Sequence, residues 1–262
     1  MRKVVNVVLV IAALLVASCL AMADPIPIDP FNTRPATITN SGEPWLQNIL
    51  TGMGMGVNAA TDQQTAGMWS AAVLPPGVLP AMVVEYAGLN LVNTFGIWSG
   101  TTTTNVVGYN IFLGPASGNG ISGTAAALTW QADGTTLMVD KAGTGVCGWS
   151  VNCGTFLGIP YTSFGFYLSN PANSYNSGNT FYSVDQLNND GQSAHVLAYR
   201  KSGTDTWALA FEDLPAGQTD WDYNDMVVKV ESLEPVPEPA TLTLLGTGLI
   251  GLAGLVRRKL KK

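Results

Sequence analysis

The sequence predicts an all-β protein in the form of a jelly-roll-like β-sandwich, on three observations. Glycine and proline are abundant, with 29 Gly and 15 Pro in 262 residues, and they interrupt any long helix. Short runs of β-branched and aromatic residues recur between Gly, Asn, Pro and Ser. Helical periodicity is scarce, whereas residues 207–211 alternate large and small side chains, as a strand with one tightly packed face does.

The strand pattern defines one predicted sandwich domain over residues 82–231. Turn-forming residues separate ten predicted strands at a spacing typical of a β-sandwich. Residues 44–50 predict the start of a short helix, residues 185–188 predict a single turn, and residues 24–81 are expected to form part of the same sandwich. The strands are predicted at residues 82–87, 93–98, 106–113, 126–131, 135–139, 164–168, 180–183, 195–200, 206–211 and 226–231.

The charge of the chain differs between its ends and its middle. The formal net charge is −6, but seven of the twelve Lys and Arg residues lie at the two termini. Residues 24–238 carry five cations against all eighteen acids, a net charge of −13. So acidic a segment repels phosphate backbones and anionic lipid, which excludes nucleic-acid binding, and it attracts divalent cations.

The N-terminus has the composition of a secretory signal peptide, predicted at residues 1–23. Two basic residues precede an uncharged run over residues 4–20, and Ala21-Met22-Ala23 then offers small residues to a signal peptidase. The chain is therefore expected to be exported. Two alternatives remain: a retained N-terminal anchor, or lipidation of Cys19 in the run Val16-Ala17-Ser18-Cys19.

The C-terminus combines three features in a fixed order. A predicted linker at residues 232–239 ends in a Pro-Glu-Pro sequence, and an uncharged stretch at residues 240–256 predicts a single transmembrane helix. A basic tail follows at residues 257–262. Positive charge directly after the helix predicts a cytoplasmic tail and an acidic body outside the cell.

This order of features resembles the PEP-CTERM sorting signal. The resemblance implies processing by an exosortase, a membrane protease of Gram-negative bacteria that build extracellular polysaccharide. It implies a membrane-anchored precursor that is then delivered to the cell surface or to the extracellular matrix of a biofilm. An ordinary single-pass anchor with a Pro-rich stalk is the alternative. The residues that carry the motif are Val236, Pro237, Glu238, Pro239, Arg257 and Arg258.

Two cysteines remain if Cys19 leaves with the signal peptide, and they predict a disulfide. Cys147 and Cys153 are separated by five residues, and in an oxidising compartment such a pair is expected to close a small loop. A redox motif would have two intervening residues, and a zinc site needs more ligands than two thiols. The pair is therefore given a structural role.

The strongest chemical signal is an acidic stretch between two predicted strands, over residues 212–225. Six acidic or asparagine side chains lie there, five of them carboxylates, and this much like charge destabilises a fold unless a cation lies among them. A hard cation with many oxygen ligands fits, and calcium is abundant outside cells. The predicted calcium ligands are Asp220, Asp222, Asn224, Asp225, Glu212 and Asp213.

The acidic stretch also has the spacing of an EF-hand loop, because Glu231 is the twelfth residue counted from Asp220. Geometry excludes this interpretation. Asp225 stands where the EF-hand turn requires Gly, and the predicted strand at residues 226–231 carries Glu231 about 20 Å away. The alternative to a metal site is a solvated acidic turn whose Asp and Asn side chains bond to their own backbone.

The same region resembles a bacterial family of unknown function found in surface and PEP-CTERM proteins. That family is marked by a Phe-Glu-Asp strand end, here residues 211–213, and an Asp-x-Asp-Tyr-Asn-Asp loop, here residues 220–225. Aromatic-glycine strands at residues 95–98 and 164–167 fit it too, so the resemblance covers about residues 82–231. It implies an extracellular β-sandwich with calcium binding and no established enzymatic activity.

Enzymatic activity is not expected from this sequence. The two carboxylates of a glycosidase are normally fixed on separate strands that face a cleft, whereas these acids share one loop. His195, the only histidine, lies beside Val196 and Leu197 and is typical of a strand residue with satisfied hydrogen bonds. The sequence contains neither a Gly-x-Ser-x-Gly elbow nor a phosphate loop.

The sequence thus predicts an exported, calcium-binding protein with a structural or adhesive role. A carbohydrate-binding module of the polysaccharide matrix is the alternative, because exposed tryptophans stack on sugar rings, and a glycoside-active enzyme is less favoured. The tryptophans considered for stacking are Trp45, Trp69, Trp98, Trp130 and Trp149.

Overall fold

The computed structural model describes most of the predicted domain, and almost all of its regular structure is β-strand. This confirms the predicted all-β class. The structure describes residues 44–64, 67–71, 77–85, 92–100, 105–113, 124–141, 151–170 and 178–236.

Thirteen strands and one α-helix lie within these residues. Each of the ten predicted strands overlaps one of them, and both short helical segments lie where the sequence predicts them. Strands β1, β7 and β13 are not predicted from the sequence. The strands are β1 (Trp69–Ala71), β2 (Gly77–Glu85), β3 (Thr94–Ser99), β4 (Val107–Phe112), β5 (Ala127–Trp130), β6 (Leu137–Asp140), β7 (Gly154–Phe156), β8 (Gly165–Asn170), β9 (Asn179–Tyr182), β10 (Val196–Arg200), β11 (Trp207–Phe211), β12 (Met226–Glu231) and β13 (Leu233–Pro235). The helix is α1 (Leu46–Gly52), and a single 3-10 turn spans Asp185–Leu187.

The strands form two large antiparallel sheets that share one hydrophobic core. Their orders are β10-β11-β12-β2-β5-β6-β7 and β4-β3-β8-β9, and β1 pairs separately with β13. The ring centroid of Phe95 in β3 lies 5.3 Å from that of Phe166 in β8 and 5.8 Å from that of Phe211 in the other sheet. Sheets of seven and four strands differ from the two four-stranded sheets of a jelly roll, so the jelly-roll-like part of the predicted fold is not confirmed.

The two aromatic-glycine strands, β3 and β8, interlock in the middle of the four-stranded sheet. Gly96 is paired with Tyr167, and Gly165 is paired with Trp98. A Cβ atom at either glycine would collide with the ring of its cross-strand partner. Glycine is therefore required at both positions because each lies directly beneath an aromatic ring of the neighbouring strand.

The strands β10, β11 and β12 are buried on both faces. Large residues of β11 face the core between the two sheets, whereas Ala208 and Ala210 face Leu46 and Leu50 of α1 in a second hydrophobic cluster. The small side chains of β11 leave room for the helix, which is why large and small residues alternate there. Residues 44–59, part of the predicted N-terminal segment, therefore cover the second face of the sheet.

The C-terminal boundary of the fold lies further along the chain than the sequence predicts. Strand β13 pairs with β1, and the Val236 N–H donates to the Met68 carbonyl at 3.0 Å. The predicted linker at residues 232–239 is corrected accordingly, because residues 233–235 find backbone partners in β1. Residues 237–239 of the sorting motif lie outside the described residues.

Several predicted segments fall outside the part of the chain that the structure describes. They are the signal peptide at residues 1–23, the membrane span at residues 240–256, the basic tail at residues 257–262, and Cys147. Among the described residues, no helix is long and apolar enough to cross a membrane.

Three of the tryptophans considered for sugar stacking fill the core instead. Trp69, Trp98 and Trp130 are at most 1% exposed, so their rings do not reach a ligand. Trp69 and Trp130 fill space between the two sheets, whereas the Trp98 ring lies over Gly165 of the neighbouring strand. Trp45 remains a candidate at 44% exposed, and Trp149 lies outside the described residues.

We expect Leu50→Ala to destabilise the domain by about 2–4 kcal/mol, because it leaves a cavity where α1 meets the sheet. Leu50 is fully buried, whereas Asn48 on the same helix is exposed. Urea unfolding measures the loss, and Asn48→Ala is the matched control, expected to change the free energy of unfolding by less than about 0.5 kcal/mol. Equal unfolding midpoints for the two variants would show that α1 does not pack on the sheet.

Candidate metal centre

The acidic residues converge at the edge of the seven-stranded sheet where β11 ends and β12 begins. Phe211, the last residue of β11, is paired with Met226, the first residue of β12. Glu212 and Asp213 therefore leave the sheet beside the point at which Asp225 enters it. The Asp213 N–H donates to Asp225 Oδ2 at 2.9 Å and closes the loop between them.

The backbone of this loop is held in an uncommon conformation. Trp221 and Tyr223 both have positive φ, 58° and 55°, which costs free energy for residues other than Gly. Tyr223 is 1% exposed, and its hydroxyl donates to the Ala194 carbonyl at 2.8 Å. The surrounding fold therefore stabilises this uncommon backbone conformation at the two aromatic residues that separate Asp220, Asp222 and Asn224.

The carboxylates form two groups of three that share Glu212. One oxygen each of Glu212, Asp213 and Asp225 lie within 4.8 Å of one another. The same holds for Glu212, Asp220 and Asp222. Glu212, Asp213 and Asp222 are at most 2% exposed, whereas Asp225 is half-buried and Asp220 is exposed. The five carboxylates predicted as ligands thus lie together, three of them withdrawn from water and a fourth partly so.

Two asparagines border the carboxylates, one at each group. Asn93 Nδ2 donates to Asp213 Oδ2 at 2.7 Å, and Asn224 Nδ2 donates to Asp222 Oδ2 at 2.7 Å. Each asparagine thus directs its amide nitrogen at a carboxylate. Asn93 Oδ1, Asn224 Oδ1 and Glu212 Oε2 are buried and have no hydrogen-bond partner among the described residues. Unpartnered buried oxygens of this kind are costly, so they call for a hydrogen-bond donor or a cation.

Burial and like charge together raise the pKa of Glu212 to about 8, from an ordinary value of 4.5. Burial is the largest cause and three neighbouring aspartates add to it, while a hydrogen bond with Thr219 acts in the opposite direction. The pKa of Asp225 is also raised well above its usual range, first by burial and then by Asp213 and Glu212. Without a cation, the cluster therefore retains protons at a pH where exposed carboxyl groups are ionised.

Two asparagines at the edge of the other sheet hold the cluster in place, and no sequence pattern predicts either of them. Thr94 is paired with Ser169, which puts Asn93 and Asn170 side by side at one end of the four-stranded sheet. Asn93 binds the Asp213 side chain, and Asn170 Nδ2 donates to the Asp213 carbonyl. Asn93 lies 120 residues from Asp213 in the chain, so no local spacing pattern connects them.

His195 is fully buried beside the cluster, and it fixes the backbone of Glu212. Its Nε2 lies 2.7 Å from Asp190 Oδ2, and its Nδ1 lies 3.2 Å from the Glu212 carbonyl oxygen. The Glu212 N–H donates to the His195 carbonyl at 3.0 Å, and the ring stacks on Phe181 with centroids 3.9 Å apart. His195 therefore positions the strand end from which the carboxylates project.

Two family models match parts of this chain. A domain of unknown function, DUF4114, matches residues 159–233, which include β8 to β12 and the whole acidic loop. The PEP-CTERM protein-sorting motif matches residues 235–259. No curated protein and no solved structure gives a significant match.

The two matches indicate which domain the chain contains and how the chain is processed. The DUF4114 match begins at residue 159, later than the predicted resemblance over residues 82–231, and leaves the ligand of the domain open. The sorting motif implies an exported, membrane-anchored precursor that exosortase, a membrane protease, processes. The chain therefore carries a DUF4114 domain followed directly by a PEP-CTERM sorting motif.

Proposed function

We propose that the exported chain is a structural or adhesive protein of the cell surface or of the extracellular polysaccharide matrix, and that bound calcium stabilises its fold. One observation carries the calcium site: buried carboxylates converge while Glu212 Oε2 lacks any hydrogen-bond partner among the described residues. Withdrawing like charges from water is unfavourable unless opposite charge or protons compensate. A divalent cation supplies that compensation.

The chemistry of the ligands favours calcium over other cations. All candidate ligand atoms are carboxylate or amide oxygens, which suit hard cations rather than zinc or copper. Calcium accepts six to eight oxygens in a flexible geometry, whereas magnesium demands an octahedral shell and keeps several waters. A crowded, mostly buried cluster suits the ion that gives up its waters more readily.

Export gives this site a role in folding. Calcium-stabilised extracellular modules typically have Kd values of about 10⁻⁴–10⁻³ M, so they fill only outside the cell. The chain would then leave the cytoplasm without its cation, and the loop between β11 and β12 would become ordered around calcium after export. Metal binding to the folded form alone contributes directly to the free energy of folding.

We assign the cluster no catalytic role. A raised carboxyl pKa such as that of Glu212 is also found in general acids, but a general acid must reach its substrate. Glu212, Asp213 and Asp222 are at most 2% exposed, and the groove described below is lined by none of them. Their burial supports a structural role for the acids.

A disulfide between Cys147 and Cys153 fits the proposed location on a Gram-negative surface or in a biofilm matrix, because disulfides persist in oxidising compartments. The residues beside Cys153 are anchored to β4, because Val151 bridges to Phe112 and the Asn152 N–H donates to the Ile111 carbonyl at 2.8 Å. A disulfide would fix the loop that leads to this point. The pair stays a prediction, since Cys147 lies outside the described residues.

A polar groove supports carbohydrate binding as a second candidate function. The groove has a volume of about 600 Å³ and is lined by amide, hydroxyl and carboxylate groups rather than by exposed tryptophans. Asp190 Oδ2 accepts a hydrogen bond from the Ala216 N–H, whereas its Oδ1 is buried with no partner among the described residues. The amide and hydroxyl groups that line the groove fit the hydroxyl groups of a sugar. Lining residues with suitable side chains include Asn179, Thr180, Tyr182, Asn189 and Asp190.

Calcium should raise the melting temperature of the wild-type protein. At about 10 mM calcium, roughly 10–100 times the expected Kd, the stabilisation is about 1.4–2.7 kcal/mol. For a domain of this size that corresponds to a rise of roughly 3–10 °C, and magnesium should give less. Scanning calorimetry in calcium and in chelator measures the difference.

Glu212→Gln is the matching variant, because it removes the shared carboxylate without changing its shape. It should abolish the calcium response and leave the calcium-free protein as stable as wild type or more so, because Gln, unlike the buried Glu212 carboxyl, takes up no proton on folding at neutral pH. Glu234→Gln, on an exposed residue of β13, should keep the full response. Identical wild-type melting curves in calcium and in chelator would show that the cluster is an acidic turn that binds no metal.

The pH dependence of the calcium-free protein follows from Glu212. Its pKa rises from about 4.5 in the unfolded chain to about 8 in the folded protein, so its contribution favours folding below pH 4.5 and is lost as the pH rises towards 8. The free energy of unfolding in calcium-depleted buffer should therefore fall between about pH 5 and pH 8, by up to about 1.4 kcal/mol per unit. Urea titrations at several pH values measure the slope, which Glu212→Gln should flatten and Glu234→Gln should not.

Retention on beads of the organism's own extracellular polysaccharide tests the second candidate. Asn189→Ala should weaken retention roughly 2–10-fold by removing a hydrogen bond to the ligand. Asn48→Ala, an exposed asparagine of α1, is the matched control, and Trp45→Ala tests stacking on the exposed ring. Wild-type protein that passes through the beads unretained, with or without calcium, would remove carbohydrate binding as a function.

A further inference from the structure

We propose that the acidic cluster binds two divalent cations side by side, with the Glu212 carboxylate bridging them. This inference deepens the proposed calcium site and rests on it. It starts from the arrangement of the ligand oxygens, which gather as two groups rather than as one ring.

Each group alone has the span of one coordination shell. Calcium holds its oxygens at about 2.3–2.6 Å, so two ligands of one ion lie no more than about 5 Å apart. The oxygens of Glu212, Asp213 and Asp225 meet this condition, and so do those of Glu212, Asp220 and Asp222. Of the described residues, Glu212 alone belongs to both groups, which makes it the bridging ligand.

Each group also has its own asparagine, and this is the independent observation that points to two ions. Asn93 binds Asp213 of the first group, and Asn224 binds Asp222 of the second, in each case through the amide nitrogen. Both residues are 1% exposed, and both carbonyl oxygens lack a hydrogen-bond partner among the described residues. Turning each amide through 180° would direct its unpartnered oxygen at the carboxylates, and each position would then gain one neutral oxygen ligand in addition to three carboxylates.

The charge of the cluster also favours two ions over one. Its five carboxylates carry a formal charge of −5, so one divalent cation leaves −3 and two leave −1. Four of the five are wholly or partly withdrawn from water, where residual charge is most unfavourable. A bridging carboxylate between ions about 3.5–4 Å apart is the usual arrangement of paired metal sites.

The number of bound ions tests the inference. The purified exported protein is stripped of calcium, dialysed against calcium to saturation, and its bound calcium per chain is measured by atomic emission. We expect two ions in the wild type and one in either Asp220→Asn or Asp225→Asn, since each variant removes a ligand of a different position. Glu212→Gln should hold fewer than one. Asp205→Asn, whose side chain is 51% exposed on the surface, is the control and should keep both.

The possible outcomes separate this inference from the calcium site itself. One ion per wild-type chain overturns the bridged pair and leaves the single site standing, whereas none contradicts both. Two ions in the wild type that both vanish in Asp220→Asn would also overturn the two-position arrangement. The wild-type count needs no variant, and circular dichroism in calcium-depleted buffer establishes that each variant is folded before its count is compared.

Discussion

Burial of like charge where β11 ends and β12 begins is the constraint on which the rest of this structure depends. Five carboxylates lie together there, and most of them are shielded from water, although burial and mutual repulsion both oppose their ionisation. Such a cluster persists only where the surrounding fold fixes it from several sides. The sheet edge supplies Glu212 and Asp213, a loop with two left-handed residues returns Asp225, and His195 holds the Glu212 backbone.

The cluster also joins parts of the fold that are otherwise separate. Asn93 and Asn170 reach Asp213 from the four-stranded sheet, and Asn224 Nδ2 donates to the Pro44 carbonyl at 3.3 Å, just before α1. Both sheets and the N-terminal segment therefore meet at one site. A cation bound there would act on the packing of the two sheets and of α1 together, and its binding would then be linked to the stability of the whole domain.

The position of the sorting motif gives this arrangement its biological setting. The folded body reaches Val236, and the PEP-CTERM match begins at residue 235, so the sorting signal follows the last strand without a long spacer. The chain is delivered through the membrane as a precursor and then processed. If extracellular calcium supplies the compensating charge, the acidic domain would complete its folding after export, in the compartment to which the sorting motif directs the chain.

Local patterns in the sequence determined the all-β class, the position of ten strands and two helical segments, the sorting motif, and the acidic stretch at residues 212–225. These features depend on the order of neighbouring residues, so they can be read without a structure. Only the tertiary structure decided that Ala208 and Ala210 face α1, that Trp69 and Trp130 lie in the core, and that residues 233–235 continue into a sheet. It alone brought Asn93 to Asp213 and divided the acids into two groups, because long-range strand pairing sets those distances and sequence spacing does not.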